Sequence, residues 1–351
     1  MKLSQKYLII RADADSFMGT GHIMRCIALA QEWQNQGGKV IFLSNCKNEN
    51  LKQRIDNECF QFIPIDKSHP DSCDLRQTRK ALEELGKNNL LSEPWIVIDG
   101  YHFTPEYHKS LKDDGYKLLV IDDMAHLQHY YADVLLNQNI HASSLKYSCD
   151  KDVVKLFGCK YVLLRKEYLE HKLHKQKITN KARRILVTMG GSDPYNVTLI
   201  IIKALNKLNE SDLEVKIVVG PANLNIISLE KELYPSCFSY EIVSNVNNMT
   251  ELMAWADLAV SSGGSTCWEM AFMGLPFITI VLADNQEGIA QSLHDLGVSF
   301  NLSWYDKLTL EKITRTLSNI MNNTNLRELY SVKGQQLVDG LGAKAVIGAF
   351  I

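Results

Sequence analysis

Hydrophobic residues in this chain fall into short unbroken runs, separated by stretches in which they recur every three or four positions. The runs YLIIRAD (7–13), KVIFLSN (39–45), FQFIPID (60–66), WIVIDG (95–100), KLLVIDD (117–123) and DVLLNQN (133–139) read as strands. A second series starts at RRILVTMGG (183–191) and continues through EVKIVVG (214–220), SYEIVSN (239–245), ADLAVSSGG (256–264) and PFITIVL (276–282). Helical spacing appears between them, as in Ile23, Cys26, Ile27 and Ala30, and again over 195–209, 247–255, 265–273 and 286–296. Apolar strands alternating with amphipathic helices form parallel sheets covered on both faces. The pattern therefore predicts an α/β chain of two doubly wound, Rossmann-like parallel-sheet domains. Residues 1–165 form the first and 183–325 the second; a polar, Lys-rich linker spans 166–182 and a helical tail 326–351. No internal sequence repeat is visible.

Composition narrows the function without naming it. A chain of 351 residues suits two domains, and 46% hydrophobic with 22% charged content is that of an ordinary globular protein. A formal net charge of −2 gives no electrostatic hold on nucleic acid or membrane. No apolar run reaches the length of a membrane span, and the first residues carry too short a run for a signal peptide. The basic cluster at 172–184 reads as a solvated linker. Eight cysteines occur without a C-x-x-C pair or zinc-like spacing, as free thiols do in a reducing cytosol. A cytoplasmic, monomeric protein acting on a small molecule is expected, with no nucleic-acid or membrane partner and no cofactor.

Candidate chemistry sits where strands turn into helices. In RADADSFMGTGHIMRC (11–26), Gly19 and Gly21 let a ligand approach the backbone closely, and His22 opens a helix. The macrodipole there disfavours an added positive charge, which suits an imidazole that accepts a proton. Asp13 and Asp15, just upstream, are candidates to orient the ring. In SSGGSTCWEM (261–270), Gly263 and Gly264 precede Ser265 and Thr266 at a helix start, a seat for phosphate. Glu269, one turn on, suits ribose hydroxyls, although a first-turn Glu is also favoured by the dipole alone. In TMGGSDPYN (188–196), Gly190, Gly191 and Ser192 offer a second wall around a pyrophosphate. Pro194 would open the next helix, capped by Ser192 or Asp193. In ADNQEG (283–288), Asn285 and Gln286 carry amides that match sugar hydroxyls or acetamido groups; Asp284 or Asn285 alternatively caps the helix. Asp99, Asp122 and Asp123 end two first-domain strands and suit acid–base work or, less well, a metal; Tyr101 and His102 follow Asp99. Neither a P-loop lysine nor a G-x-G-x-x-G fingerprint is present, so a nucleoside triphosphate or NAD is not indicated. Two doubly wound domains leave a cleft between them, and ligands of such sheets bind outside the strands' carboxyl ends. Every motif falls at such an end.

These four motifs, in order and over nearly the whole chain, resemble the UDP-sugar hydrolases of pseudaminic acid synthesis. The matching residues are R-A-D-A-x-x-x-x-G-x-G-H-x-x-R-C, which includes Arg25, then G-G-S-D-P-x-N, G-G-S-T-x-W-E and N-Q; VDGLGAKAV (338–346) resembles the family's ending. The resemblance implies a GT-B-type architecture. It also implies metal-independent hydrolysis of a UDP-activated 2,4-diacetamido-2,4,6-trideoxy altrose, with His22 as general base and inversion at the anomeric carbon. Asp15 stands where relatives carry Ser, and Lys344–Ala345 where an acidic–Arg pair is common; neither touches the histidine. The alternatives are a GT-B glycosyltransferase using a UDP-sugar donor, a non-catalytic nucleotide-sugar binder, and an NAD-dependent oxidoreductase, which lacks its fingerprint.

Overall fold

A computed structural model describes residues 3, 6–15, 18–87, 94–171, 177–220, 223–244, 246 and 248–349. The chain divides into two compact units, Met1–Lys166 with Leu341–Ile351, and Glu167–Gly340. The first unit runs β1 (Tyr7–Ala12), α1 (Gly21–Asn35), β2 (Lys39–Ser44), α2 (Glu49–Asn57), β3 (Gln61–Pro64), α3 (Ser72–Lys87), β4 (Trp95–Asp99), α4 (Pro105–Asp113), β5 (Lys117–Ile121), β6 (Val134–Asn137) and β7 (Val154–Phe157). Its seven strands pair in parallel in the order β3-β2-β1-β4-β5-β6-β7. Alternate residues of β1 serve opposite faces. Leu8 and Ile10 join the core formed with Ile23, Cys26 and Ile27 of α1, while Tyr7 and Ile9 join Leu82 of α3 and Leu111 of α4. That division requires a strand apolar on both sides, which YLII provides.

The chain enters the second unit through α5 (Lys166–Leu169). It then runs β8 (Arg184–Thr188), α6 (Val197–Leu208), β9 (Glu214–Val219), α7 (Ile226–Leu233), β10 (Ser239–Ser244), α8 (Met249–Trp255), β11 (Leu258–Ser262), α9 (Thr266–Met273), β12 (Phe277–Val281), α10 (Asp284–Asp295), β13 (Phe300–Trp304), α11 (Leu310–Asn322) and α12 (Thr324–Leu337). Six parallel strands follow the order β10-β9-β8-β11-β12-β13. In each sheet the winding reverses once, between β1 and β4 and between β8 and β11. Such a reversal opens a crevice at the strands' carboxyl ends.

Both sheets are wider than the sequence pattern predicts. β7 and β13 are edge strands, only partly buried, whose Lys155, Asn301 and Ser303 interrupt the apolar run. The tail also divides. α12 stays with the second unit, whereas α13 (Gly342–Gly348) belongs to the first and buries Ala343, Val346 and Ile347 in the core shared with α1. Gly342 is required there, since a Cβ would lie 2.1 Å from the Val162 carbonyl oxygen. Positions 172–176 of the expected linker and its basic cluster lie outside the described residues. All eight cysteines are free thiols. Among the described residues no helix is long and apolar enough to cross a membrane.

Candidate active site

In the first unit the chemistry gathers at the β1/β4 crevice. Gly19, at φ +74°, turns the chain from β1 toward α1, and a Cβ on Gly19 or Gly21 would meet nothing within 4 Å. Thr20 caps α1 without a side-chain hydrogen bond. His22 lies just inside, buried, with Asp99 at the end of β4 beside it; Asp99 pairs in register with Ala12 at the end of β1. The ring Nδ1 is 2.7 Å from Asp99 Oδ1. One of those two atoms must carry a proton. Burial opposes ionisation of Asp99, but the Arg25 charge and the hydrogen bonds from Arg25 and His22 hold it well below the usual carboxylate range. The proton between them therefore belongs to Nδ1, and Nε2 is the ring nitrogen that Asp99 leaves unengaged.

Arg25, one turn along α1, grips the same carboxylate. Its Nε donates to Asp99 Oδ2 at 2.6 Å and its Nη2 to Oδ1 at 2.7 Å, while Nη1 donates to Asp123 Oδ2 at 2.7 Å. Asp123 also accepts from the Tyr101 hydroxyl at 2.7 Å and from Asn139 Nδ2 at 2.8 Å. Tyr101 stands edge-on to the His22 ring, with centroids 4.9 Å apart. The ends of β4, β5 and β6 are thus tied to the start of α1. Asp122 turns elsewhere: it accepts from the backbone N–H groups of Met124 and Ala125 and pairs with His126 Nδ1 at 3.0 Å. Asp13 is enclosed too. Its carboxylate takes Arg11, the Asn45 N–H and His102 Nε2 at 3.0 Å, and Arg11 joins it to Asp74.

The second unit repeats the geometry at the β8/β11 crevice. Gly190, at φ +84°, turns the chain after β8. The Ser262 hydroxyl lies under both glycine turns, 3.7 Å from a Cβ on Gly190 and 3.9 Å from one on Gly264. Gly220 after β9 approaches so closely that a Cβ would be 2.3 Å from the Gly191 carbonyl oxygen. Ser265 precedes α9 without a side-chain cap; the Cys267 and Trp268 N–H groups donate to the Gly264 and Ser265 carbonyl oxygens, and Glu269 lies in that first turn. Gly263 abuts Gln286, whose Oε1 accepts from the Leu282 N–H at 3.0 Å. That bond fixes Gln286 against the glycine turn, with Asn285 beside it in the first turn of α10.

Three local expectations change. Asp99, not Asp13, orients the His22 ring, because Asp13 is saturated by Arg11, His102 and Asn45. Asn196 is the capping residue of α6, without a side-chain bond, and the Asp193 carboxylate accepts from the N–H groups of Val197 at 2.8 Å and Thr198 at 2.9 Å, so the helix begins after Pro194 rather than at it. Neither Asp284 nor Asn285 caps α10: Ala283 is the capping residue, with no side-chain bond. Gly190, Gly191, Ser192, Gly264, Ser265, Thr266, Glu269, Asn285 and Gln286 all lie at the carboxyl ends of β8, β11 and β12. Asn139, Gly220 and Ser262 escaped the sequence reading. Only Gly220 left a signal there, as a glycine closing a strand.

The chain resembles known proteins in sequence and in fold. Residues 184–338 match the glycosyltransferase family 28 C-terminal domain. The chain is 26% identical over 287 residues to Uncharacterized protein MJ1062 of Methanocaldococcus jannaschii, covering 78% of this chain but spanning only 55% of that protein. It is 23% identical to the spore coat polysaccharide biosynthesis protein SpsG of Bacillus subtilis, over 95% of this chain and 94% of that one. It is 24% identical to the UDP-2,4-diacetamido-2,4,6-trideoxy-beta-L-altropyranose hydrolase of Campylobacter jejuni, over 83% and 97%. MurG of Acinetobacter baumannii superimposes with a TM-score of 0.67 at 16% identity, over 98% of this chain and 99% of that one. The fold class is two Rossmann-like parallel-sheet α/β units, with GT-B glycosyltransferases as structural neighbours.

Proposed function

We propose that the protein hydrolyses a UDP-activated 2,4-diacetamido-2,4,6-trideoxy hexose of the altrose type at its anomeric C–O bond, releasing UDP and the free sugar. The observation that carries this reading is the His22–Asp99 pair, whose Nδ1 is engaged and whose Nε2 is the ring's remaining acceptor beside the Gly19–Gly21 turn. Nε2 takes a proton from water as the oxygen attacks the anomeric carbon, and Asp99 stabilises the imidazolium that forms. The C–O bond to the diphosphate breaks, and the charge left on UDP meets the N–H groups at the start of α9 and the Gly190–Gly191 turn. A single displacement inverts the anomeric centre. The name of the Campylobacter relative and four ordered motifs support the choice of sugar.

A second reading, glycosyl transfer to an acceptor hydroxyl, is favoured by the family 28 match over 184–338. The two readings separate in one assay. The purified protein is incubated with UDP-2,4-diacetamido-2,4,6-trideoxy-altrose and no acceptor, and the anomeric protons are followed by NMR. Release of UDP with the inverted free sugar, at a rate unchanged by chelator, supports hydrolysis. UDP release that begins only when an acceptor is added overturns it.

A further inference from the structure

We propose that Arg25 is a positioning residue that acts as the counter-ion of Asp99 and thereby keeps His22 neutral, rather than a contact for the substrate. This rests on the reading of His22 as the base. The two oxygens of Asp99 receive four groups: His22 Nδ1 and Arg25 Nη2 on Oδ1, and Arg25 Nε and Cys26 Sγ on Oδ2. A buried carboxylate demands a compensating positive charge. Two groups next to Asp99 can supply it, the guanidinium and the imidazole. If the imidazole did so it would hold both protons and could accept none from water. The guanidinium takes the role instead, gripping both carboxylate oxygens along its Nε–Nη2 edge.

Arg25 is suited to this and ill suited to a ligand. Three of its nitrogens are spent on Asp99 and Asp123, and its side chain is only 8% exposed. Its Nη2 lies 3.4 Å from His22 Nδ1, so its charge stands directly beside the ring. The groups facing His22 are Arg25 and Cys26 on its own helix, Asp99 at the end of β4, and Tyr101 just beyond. Asp123, after β5, reaches it through Arg25 and Tyr101, and His126 flanks the far side of Tyr101. Two of these are carboxylates and Arg25 is the one permanent cation among them; Asp123 is also met by the Tyr101 hydroxyl and Asn139 Nδ2, whereas Asp99 takes two of the guanidinium nitrogens. Without it the pair of carboxylates would draw a second proton onto the imidazole.

The test reads the ring directly and needs no substrate. The full chain is labelled with 15N-histidine, and the His22 signals are assigned by their loss in His22→Asn. In the native protein at pH 7.5 they should show a neutral ring protonated at Nδ1. Arg25→Met should convert them to the doubly protonated pattern at that pH. Should that variant fail to fold, Arg25→Met/Asp123→Asn conserves the net buried charge while still depriving Asp99 of its guanidinium, and the same conversion is expected. Arg25→Lys should restore part of the neutral signal. With a turned-over UDP-sugar, the acid limb of kcat should move up by about one pH unit or more, while UDP affinity stays within threefold. An unchanged His22 spectrum in the double variant overturns the proposal, as does a raised KM with an unmoved pH profile. If the native protein releases no UDP, only the hydrolase reading fails; the ring spectrum still decides the role of Arg25.

Discussion

Replacing Asp99 by Asn tests the dyad where its consequences can be worked out atom by atom. The side chain keeps its shape but exchanges one oxygen for an NH2 group. Set at the Oδ1 position, the NH2 faces Arg25 Nη2, now 2.7 Å from Oδ1, and it donates to His22 Nδ1, forcing the tautomer whose Nε2 already holds a proton. Set at the Oδ2 position, it faces Arg25 Nε, now 2.6 Å away, and the tautomer survives without a negative charge to stabilise the imidazolium. Both orientations oppose two donors, and both remove the charge that favours proton uptake. Losing the carboxylate from an imidazole pair lowers turnover by about 10²–10⁴-fold, or roughly 3–5 kcal/mol of barrier. Arg25 retains Asp123, so the protein should fold, with stability lower by about 1–3 kcal/mol for the opposed donor. Single-turnover release of UDP measures the chemical step, and calorimetric titration with UDP measures the binding seat. The expected result is a fall in rate of at least a hundredfold with UDP affinity within threefold. A rate within fivefold of native, in a folded variant, would refute the reasoning.

Two further outcomes follow from the structure. A Cβ on Gly264 would meet only the Ser262 hydroxyl at 3.9 Å, so Gly264→Ala should leave the melting temperature almost unchanged. A phosphate lying against that backbone would be displaced, weakening UDP binding by tenfold or more, about 1.4 kcal/mol; unchanged affinity in titration would contradict the phosphate seat. His108 is buried, neither ring nitrogen has a hydrogen-bond partner among the described residues, and burial pulls it from 6.5 down to about 4. Below pH 6.5 the unfolded chain takes up a proton that the folded ring refuses, so stability is lost as pH falls toward 4, by roughly 2 kcal/mol at pH 5. His108→Phe should flatten the fall in melting temperature between pH 7 and pH 5, and a slope equal to native would show that His108 does not set it.

What the sequence made legible was decided by local chemistry. The central strands announced themselves because both faces are buried, which leaves no room for polar residues in YLII, WIVI or LLVI. The edge strands β7 and β13 did not, since an exposed edge tolerates Lys155, Asn301 and Ser303. The glycine turns at 19–21, 190–191 and 263–264 were readable because paired glycines before a helix have few other uses. The partner of His22 was not readable. Asp99 is 77 positions away, and only the β1–β4 pairing brings it to the ring. The nearer Asp13 looked equally suitable, but its carboxylate is taken up by Arg11, a residue whose charge had no visible partner in the sequence. Arg25 was visible as a motif residue, and only the fold shows its guanidinium turned inward to Asp99 and Asp123.

Replacing His22 by Asn, with turnover and UDP binding measured separately, tests the account most directly. The amide fits the space and cannot take a proton from water, so turnover on the UDP-sugar should fall by at least a hundredfold while UDP binds as it does to the native protein. Turnover within fivefold of native, in a protein that melts normally, would remove the imidazole from the chemistry and the account with it.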